Sequence, residues 1–265
     1  MAFIGVFDSG VGGLSVLREI HAQLPDYPTL YYADQAHLPY GERDDDTLRA
    51  YSAAITDFLI AQGAAIIVLA CHSASAAALL YLRERYPDVP FVGIEPAVKP
   101  AAERTRSGVI GVVTTRATAR GALYRRVLER YGTNVEVITQ IAPDWVTLVE
   151  DGGAATESGQ ESLRTVIDPL LARGADQIAL ACTHFPFLTP HLTPLIADRA
   201  ALIDPGPAVA AQTARLIARR GIAPHRAEHR FFTSGPVEPF ARLTRQLLDA
   251  PALPDSAFVR HVVIA

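Results

Sequence analysis

The chain has 265 residues, 49% of them hydrophobic, which is enough to bury one large core or two modest ones. Its formal net charge of -4 supplies no basic surface for nucleic acid, and its apolar runs are too short to cross a bilayer, so neither nucleic acid nor membrane is an expected partner. Met1 leads straight into a strand-like run without the zones of a signal peptide, so the expected location is cytoplasmic, where cysteines are expected to stay free thiols.

Strand and helix signals alternate along the chain, which predicts an α/β fold of mostly parallel sheets with helices on both faces. Ile4 to Phe7 reads as a strand, and Leu14, Leu17, Ile20 and Leu24 form a helical stripe after a glycine turn. Leu30 to Ala33 is the next strand, followed by a second stripe at Leu48, Tyr51, Ile55, Phe58 and Leu59 that stops at Gly63. A third strand ends at Cys71, and Phe91 to Ile94 is a fourth. Glu95 to Pro100, with two prolines, reads as a crossover into a second unit.

That second unit predicts a strand at Val109 to Val113, a helix from Ala117 to Tyr131 and a strand at Val135 to Thr139. Asp144 to Glu150 reads as a short helix, and Glu157 to Arg173 as a longer one that Pro169 bends or splits. Ala201 to Asp204 is a further strand. The remaining pattern is a helix from Ala208 to Arg220, a strand at His229 to Thr233, a helix from Val237 to Asp249 and a strand at Phe258 to Ile264. It reads as material that completes the first sheet. The expected organisation is a discontinuous first domain, 1–97 plus 208–265, and a second domain, 98–207.

The two units carry a repeat. The two cysteines of the chain sit in matching frames, I-I-V-L-A-C at Ile66 to Cys71 and I-A-L-A-C at Ile178 to Cys182; the segments I-G-V-F-D-S at Ile4 to Ser9 and I-G-V-V-T-T at Ile110 to Thr115 are also alike. Two similar doubly wound domains in pseudo-symmetric arrangement would each deliver one thiol to the cleft between them. Ligands in open α/β sheets bind beyond the carboxyl ends of the strands, where a helix N-terminus lowers a thiol pKa and favours an anionic ligand. Acid/base groups on opposite sides of one carbon suit inversion of its configuration.

Other motifs leave alternatives open. Asp8-Ser9-Gly10-Val11-Gly12-Gly13 reads either as a dinucleotide turn with Asp34 as the ribose-binding acid, lacking its third glycine because Ser15 stands there, or as a turn that points Asp8 and Ser9 into the cleft while its glycines let a small ligand approach the backbone. His72 and His184 flank the two thiols, but two cysteines and two histidines at these separations lack the close ligand spacing of a zinc site, so no metal is expected. Lys99 is the single lysine and lies in the proline-flanked crossover, which argues against a pyridoxal phosphate Schiff base.

Taken together, F-D-S-G-V-G-G-L-S-V-L-R at Phe7 to Arg18, P-Y-G at Pro39 to Gly41, A-C-H-S-A-S-A at Ala70 to Ala76 and A-C-T-H-F-P at Ala181 to Pro186 resemble glutamate racemase, over nearly the whole chain. The resemblance implies a cofactor-independent enzyme that interconverts L- and D-glutamate by a two-base mechanism and supplies D-glutamate for peptidoglycan, with a homodimeric assembly. It implies Cys71 and Cys182 as the acid/base thiols, Asp8 assisting the first, His184 the second, and Glu150 near the second. Substrate would be held by Asp8, Ser9, Tyr40, Gly41, His72, Ser73, Thr183 and His184, with Thr115 and Thr118 adding contacts to the α-carboxylate. One departure stands out: the family usually has C-N-T where this chain has Cys71-His72-Ser73, replacing a neutral carboxamide by a bulkier group that titrates near neutrality. The rival expectations are a related racemase or cysteine-dependent isomerase or decarboxylase acting on another acidic substrate, and a non-catalytic glutamate-binding relative.

Overall fold

The computed structural model describes residues 2–225, 227–248 and 259–264. Ten strands in these residues form two sheets, and every strand pairing is parallel. In the first sheet β1 (Phe3–Asp8) lies between β2 (Thr29–Ala33) and β3 (Ala64–Leu69), with β4 (Phe91–Gly93) outside β3. In the second, β5 (Val109–Thr114) lies between β6 (Glu136–Ile141) and β7 (Gln177–Ala181), with β8 (Ala201–Ile203) outside β7. The orders β2-β1-β3-β4 and β6-β5-β7-β8 are the same winding used twice. The late strands β9 (Arg230–Thr233) and β10 (Val259–His261) extend the first sheet beyond β2.

The central strands are apolar on both faces because helices cover both, which is why β1 and β3 read as unbroken hydrophobic runs. Helix α1 (Leu14–Gln23) buries Leu14, Leu17 and Ile20 and packs against α10 (Gly206–Arg220), tying the late part of the chain to its beginning. Helix α2 (Asp45–Ala61) is capped by Asp44, whose carboxylate accepts the Thr47 backbone N–H at 2.8 Å, and it packs against α3 (His72–Arg85). One hydrophobic cluster runs through both sheets' helices, joining Val11, Leu14 and Leu17 to Trp145, Val146, Leu163 and Phe185.

Several elements differ from expectation. The crossover holds a short helix, α4 (Val98–Arg104); Pro100 is tolerated because it lies in the first turn, where a backbone N–H has no helical acceptor. The stretch predicted as one helix from Ala117 to Tyr131 breaks at Gly121, whose backbone is extended, giving α5 (Arg116–Arg120) and α6 (Ala122–Tyr131). A side chain at Gly121 would stand 2.6 Å from the Ala76 Cβ, so the break lets α6 close onto α3 across the two units. Between them, α7 (Asp144–Glu150) and α8 (Glu157–Ala172) follow the sequence pattern, except that α8 runs through Pro169 as one helix. Helix α9 (Thr189–Ile196), with prolines at 190 and 194, was masked by them in the sequence. The last helix, α11, spans Val237–Leu248; Asp249 and Phe258, the predicted ends of the last helix and strand, lie outside the described residues.

The edge between β2 and β9 is tied by a histidine relay. The His229 ring accepts the Thr29 N–H at Nδ1 (3.2 Å), the Thr29 hydroxyl lies 3.0 Å from the same nitrogen and 3.0 Å from His21 Nε2, and the two rings lie tilted by 33° with centroids 4.1 Å apart. Burial, and then the charge of His229, lower the His21 pKa from 6.5 to about 3, and burial lowers that of His229. A histidine that must stay neutral in the fold contributes its full stability above the unfolded pKa and loses it as pH falls from about 6.5 towards 3. Urea midpoints should therefore fall between pH 7.5 and pH 5, His21 alone accounting for about 2 kcal/mol at pH 5, and His21→Gln should flatten that slope; equal slopes in the two proteins would contradict the assignment.

Candidate active site

The register of the sheets brings the two cysteines together. Ala70 donates to the Phe7 carbonyl, so β3 ends level with Asp8 and places Cys71 one residue beyond, at the N-cap of α3. In the second sheet Thr114 pairs with Ala181, so Thr115 and Cys182 leave their strands side by side. Both carboxyl ends face one cavity of about 10 Å3, room for about one water molecule. Its wall is made of Ser9, Pro39, Tyr40, Gly41, Cys71, His72, Ser73, Thr115, Val146, Cys182, Thr183 and His184. Asp8, Glu150 and Thr118 stand behind it, each hydrogen bonded to a residue of the wall or of the glycine turn.

The two thiols have unlike surroundings. Asp8 is fully buried; its carboxylate accepts the Gly10 N–H at 2.9 Å and the Thr183 hydroxyl at 2.9 Å, the latter from the second unit. Burial raises the Asp8 pKa against the opposing pull of His184 and these hydrogen bonds. Burial, helped by the charge of Asp8, also pushes the Cys71 thiol well up, while the Ala74 and Ser73 N–H groups at the helix start work the other way. On the other side, His184 Nδ1 lies 3.8 Å from Cys182 Sγ, and its Nε2 lies 2.8 Å from Glu150 Oε1. Burial disfavours charge on the His184 ring, but the hydrogen bonds to Cys182 and Glu150 outweigh it and hold the ring protonated well above the usual range. Burial likewise opposes charge on Glu150, and the hydrogen bonds from His184, Val11 and Gln35 overcome it and lower its pKa.

Comparisons to known proteins identify the family of the chain that carries this thiol–imidazole–carboxylate line. Residues 4–213 match the family described as Asp/Glu/Hydantoin racemase. The chain belongs to that family. A glutamate racemase of Ectopseudomonas mendocina is 48% identical over 238 residues, which cover 89% of this chain and 90% of that protein. Among solved structures, a glutamate racemase isoform from Bacillus anthracis matches with a TM-score of 0.89 at 29% identity, covering 99% of this chain and 98% of that one. Escherichia coli glutamate racemase, in complex with L-glutamate and the activator UDP-MurNAc-Ala, matches with a TM-score of 0.85 at 28% identity over 100% of both chains. The protein is therefore an enzyme of the racemase class.

Within this racemase Ser9 reaches the cavity wall, as the second sequence reading expects, but the glycines beside it serve another purpose. A Cβ at Gly10 would collide with the Glu150 carboxylate, one at Gly12 with the His184 ring, and one at Gly13 would come within 2.6 Å of the Asp8 Cβ. Gly10 and Gly12 admit side chains of the second unit and Gly13 admits the Asp8 side chain of its own unit, and the dinucleotide reading falls with them. Asp34 is equally committed: its carboxylate accepts from the Tyr40 hydroxyl at 2.5 Å, the Ser234 hydroxyl at 2.9 Å and the His37 ring at 2.9 Å. Tyr40 thus offers the cavity its ring and backbone, its hydroxyl being already spent on Asp34.

The hydroxyls of Ser73, Thr115 and Thr118 form a cluster, with Ser73 Oγ 3.0 Å from Thr115 Oγ1 and 3.4 Å from Thr118 Oγ1, that links the starts of α3 and α5 across the cavity. Sequence reasoning missed three supports. Gln35 donates to Glu150 at 3.4 Å while its own carbonyl accepts from Thr233; the Tyr31 hydroxyl donates to the Gly10 carbonyl at 2.8 Å; and the Ser15 hydroxyl lies 3.0 Å from the Thr183 carbonyl it donates to. Ser15, noted only as a missing glycine, was the visible signal; Gln35 and Tyr31 left none. Among the described residues no group of three or more His, Cys, Asp or Glu is arranged to hold a metal ion.

The tight glycine turn gives a direct test. In Gly12→Ala the new methyl meets the His184 ring and comes within 2.7 Å of Thr183 Oγ1. Displacement of that imidazole should lower kcat/KM by about 10²-fold or more with the circular dichroism spectrum unchanged; wild-type turnover in this variant would show that the ring need not be held there.

Proposed function

We propose that this enzyme interconverts L- and D-glutamate, with Cys71 and Cys182 as the two proton-transfer groups. The observation that carries the reading is that both buried thiols line one cavity, each arriving from the equivalent strand of a separate sheet. The relatives named glutamate racemase, at nearly full coverage, support glutamate as the substrate, and the same resemblance supports a role in supplying D-glutamate for peptidoglycan, in the cytoplasm and as a homodimer. The shared winding of the two sheets supports a division into a first domain of 1–97 plus 208–265 and a second of 98–207.

One thiolate takes the α-proton while the opposite thiol delivers a proton to the other face, so the carbon inverts and the two sulfurs exchange protonation states. The α-hydrogen of an ammonium acid is weakly acidic, and a thiolate in a wet site would be too weak a base for it. Burial answers part of this: the same desolvation that raises the Cys71 pKa makes its thiolate the stronger base. Donors directed at the α-carboxylate supply the rest by stabilising the enediolate-like charge that develops as the proton leaves. In this reading the Ser73 and Thr115 hydroxyls and the first N–H groups of α3, which border the cavity, supply those donors, while the Thr183 hydroxyl is engaged with Asp8. Asp8 beside Cys71 and the His184–Glu150 pair beside Cys182 orient the sulfurs and accept or return their protons. An amino acid of glutamate size exceeds the room in the cavity, so entry requires its walls to part, and the Ser73–Thr115 contact is one that spans them.

The deciding experiment is NMR of L- and D-glutamate in deuterated water, with aspartate beside them. The expected outcome is loss of the α-proton signal from both glutamate enantiomers and convergence on the racemate. Cys71→Ala and Cys182→Ala should each lower racemisation by about 10³-fold or more. Full turnover with either cysteine removed would exclude the two-base scheme and favour a single nucleophilic thiol, and exchange confined to aspartate would change the substrate.

A further inference from the structure

His72 is the residue that the mechanism leaves unused. It opens α3, directly after Cys71, lines the cavity and is 2% exposed, yet neither of its ring nitrogens has a hydrogen-bond partner. A buried polar group without a partner is costly to the fold and is retained where a ligand completes it. The cavity wall contains no lysine or arginine. Its other imidazole, His184, is held between Cys182 and Glu150, and the carboxylate cancels its charge.

An acidic amino acid carries two carboxylates and one ammonium, so it brings a net negative charge into this wall. The groups around His72 that titrate are Cys71 on its own element, Tyr40 on the turn before α2, and Cys182 and His184 after β7, with Asp8 and Glu150 behind them. None of these supplies an uncompensated positive charge. With no ligand, burial alone holds the His72 pKa down at about 3, and no charged neighbour contributes. A carboxylate placed against the ring reverses that balance, because an anion in a low-dielectric site favours the charged imidazole strongly.

We propose that His72 recognises a carboxylate of the bound amino acid by taking up a proton from solvent, so that this racemase binds substrate together with a proton that a C-N-T relative would not require. The inference rests on the reading that the cavity takes an acidic amino acid. The only bond made is N–H on the imidazole, and the proton returns to solvent when the ligand leaves. Its consequence is a substrate affinity that weakens as pH rises, set by His72.

Calorimetric titration of wild-type enzyme with equilibrated DL-glutamate at pH 7, in buffers of different ionisation enthalpy, counts the protons. We expect uptake approaching about one proton per glutamate bound at pH 7, with KM rising by up to about tenfold per pH unit there, and both the uptake and that slope falling off together at higher pH. His72→Asn should bind without that uptake and with a KM nearly level over the same range. Binding by the wild type without proton uptake overturns the inference and leaves the functional reading intact. Equal uptake in the variant overturns it as well, since the proton then belongs to another group. Absence of both binding and α-proton exchange overturns the functional reading and this inference with it. If His72→Asn does not fold, ¹⁵N-histidine spectra of the wild type decide: one of its eight imidazoles should pass from neutral to charged on adding glutamate, and no such change refutes the proposal.

Discussion

The site depends on one interaction, the buried contact between Glu150 and His184, which the second unit presses into the glycine turn of the first. The pair is almost wholly removed from water, and removing one partner of such a pair leaves an uncompensated charge that costs about 3–5 kcal/mol. Its geometry is therefore enforced from several directions. The Val11 N–H donates to the same Glu150 oxygen at 2.9 Å, Gln35 reaches the other oxygen, and the absence of side chains at Gly10 and Gly12 leaves the space that the pair occupies. Because these supports lie in the first unit, another orientation of the two sheets would strip the Val11 and Gln35 donors from Glu150.

From that contact follows the difference between two halves that share one winding. Each sheet delivers a cysteine just past its third strand, yet one sulfur faces a carboxylate whose own pKa is raised and the other faces an imidazole held protonated. Duplication accounts for the position of the sulfurs, and the contacts across the junction account for their chemistry. The Thr183–Asp8 hydrogen bond joins the two environments directly, since the residue following one cysteine donates to the carboxylate whose charge acts on the other. A change on either side of the cavity is thus felt on both.

Much of the site was legible in the sequence because the chemistry sits where strands end. Cys71 and Cys182 close apolar runs, and parallel strands buried on both faces leave little choice of element or direction. The supports were less legible. Asp34 carries the same acidic group that a nucleotide site would use, and only its bonds to Tyr40, Ser234 and His37 show that it braces a loop. Gln35 is an ordinary polar residue in a turn until Thr233, nearly two hundred positions later, fixes its carbonyl and turns its amide towards Glu150. The helix broken at Gly121 follows the same logic, since the close approach of Ala76 from the first unit decided it against local preference.

What the sequence determined by itself was the repeated strand-and-cysteine frame, the parallel α/β class and the presence of two thiols with flanking imidazoles, because hydrophobic period and chain position are local properties. What only the tertiary structure decided was which groups meet: that the glycines make room for Glu150 and His184, that Asp8 is bonded to Thr183, and that His72 is buried with nothing to bond. Those facts depend on distances between residues far apart in the chain and on the loss of water around them. Neither is written in any single segment.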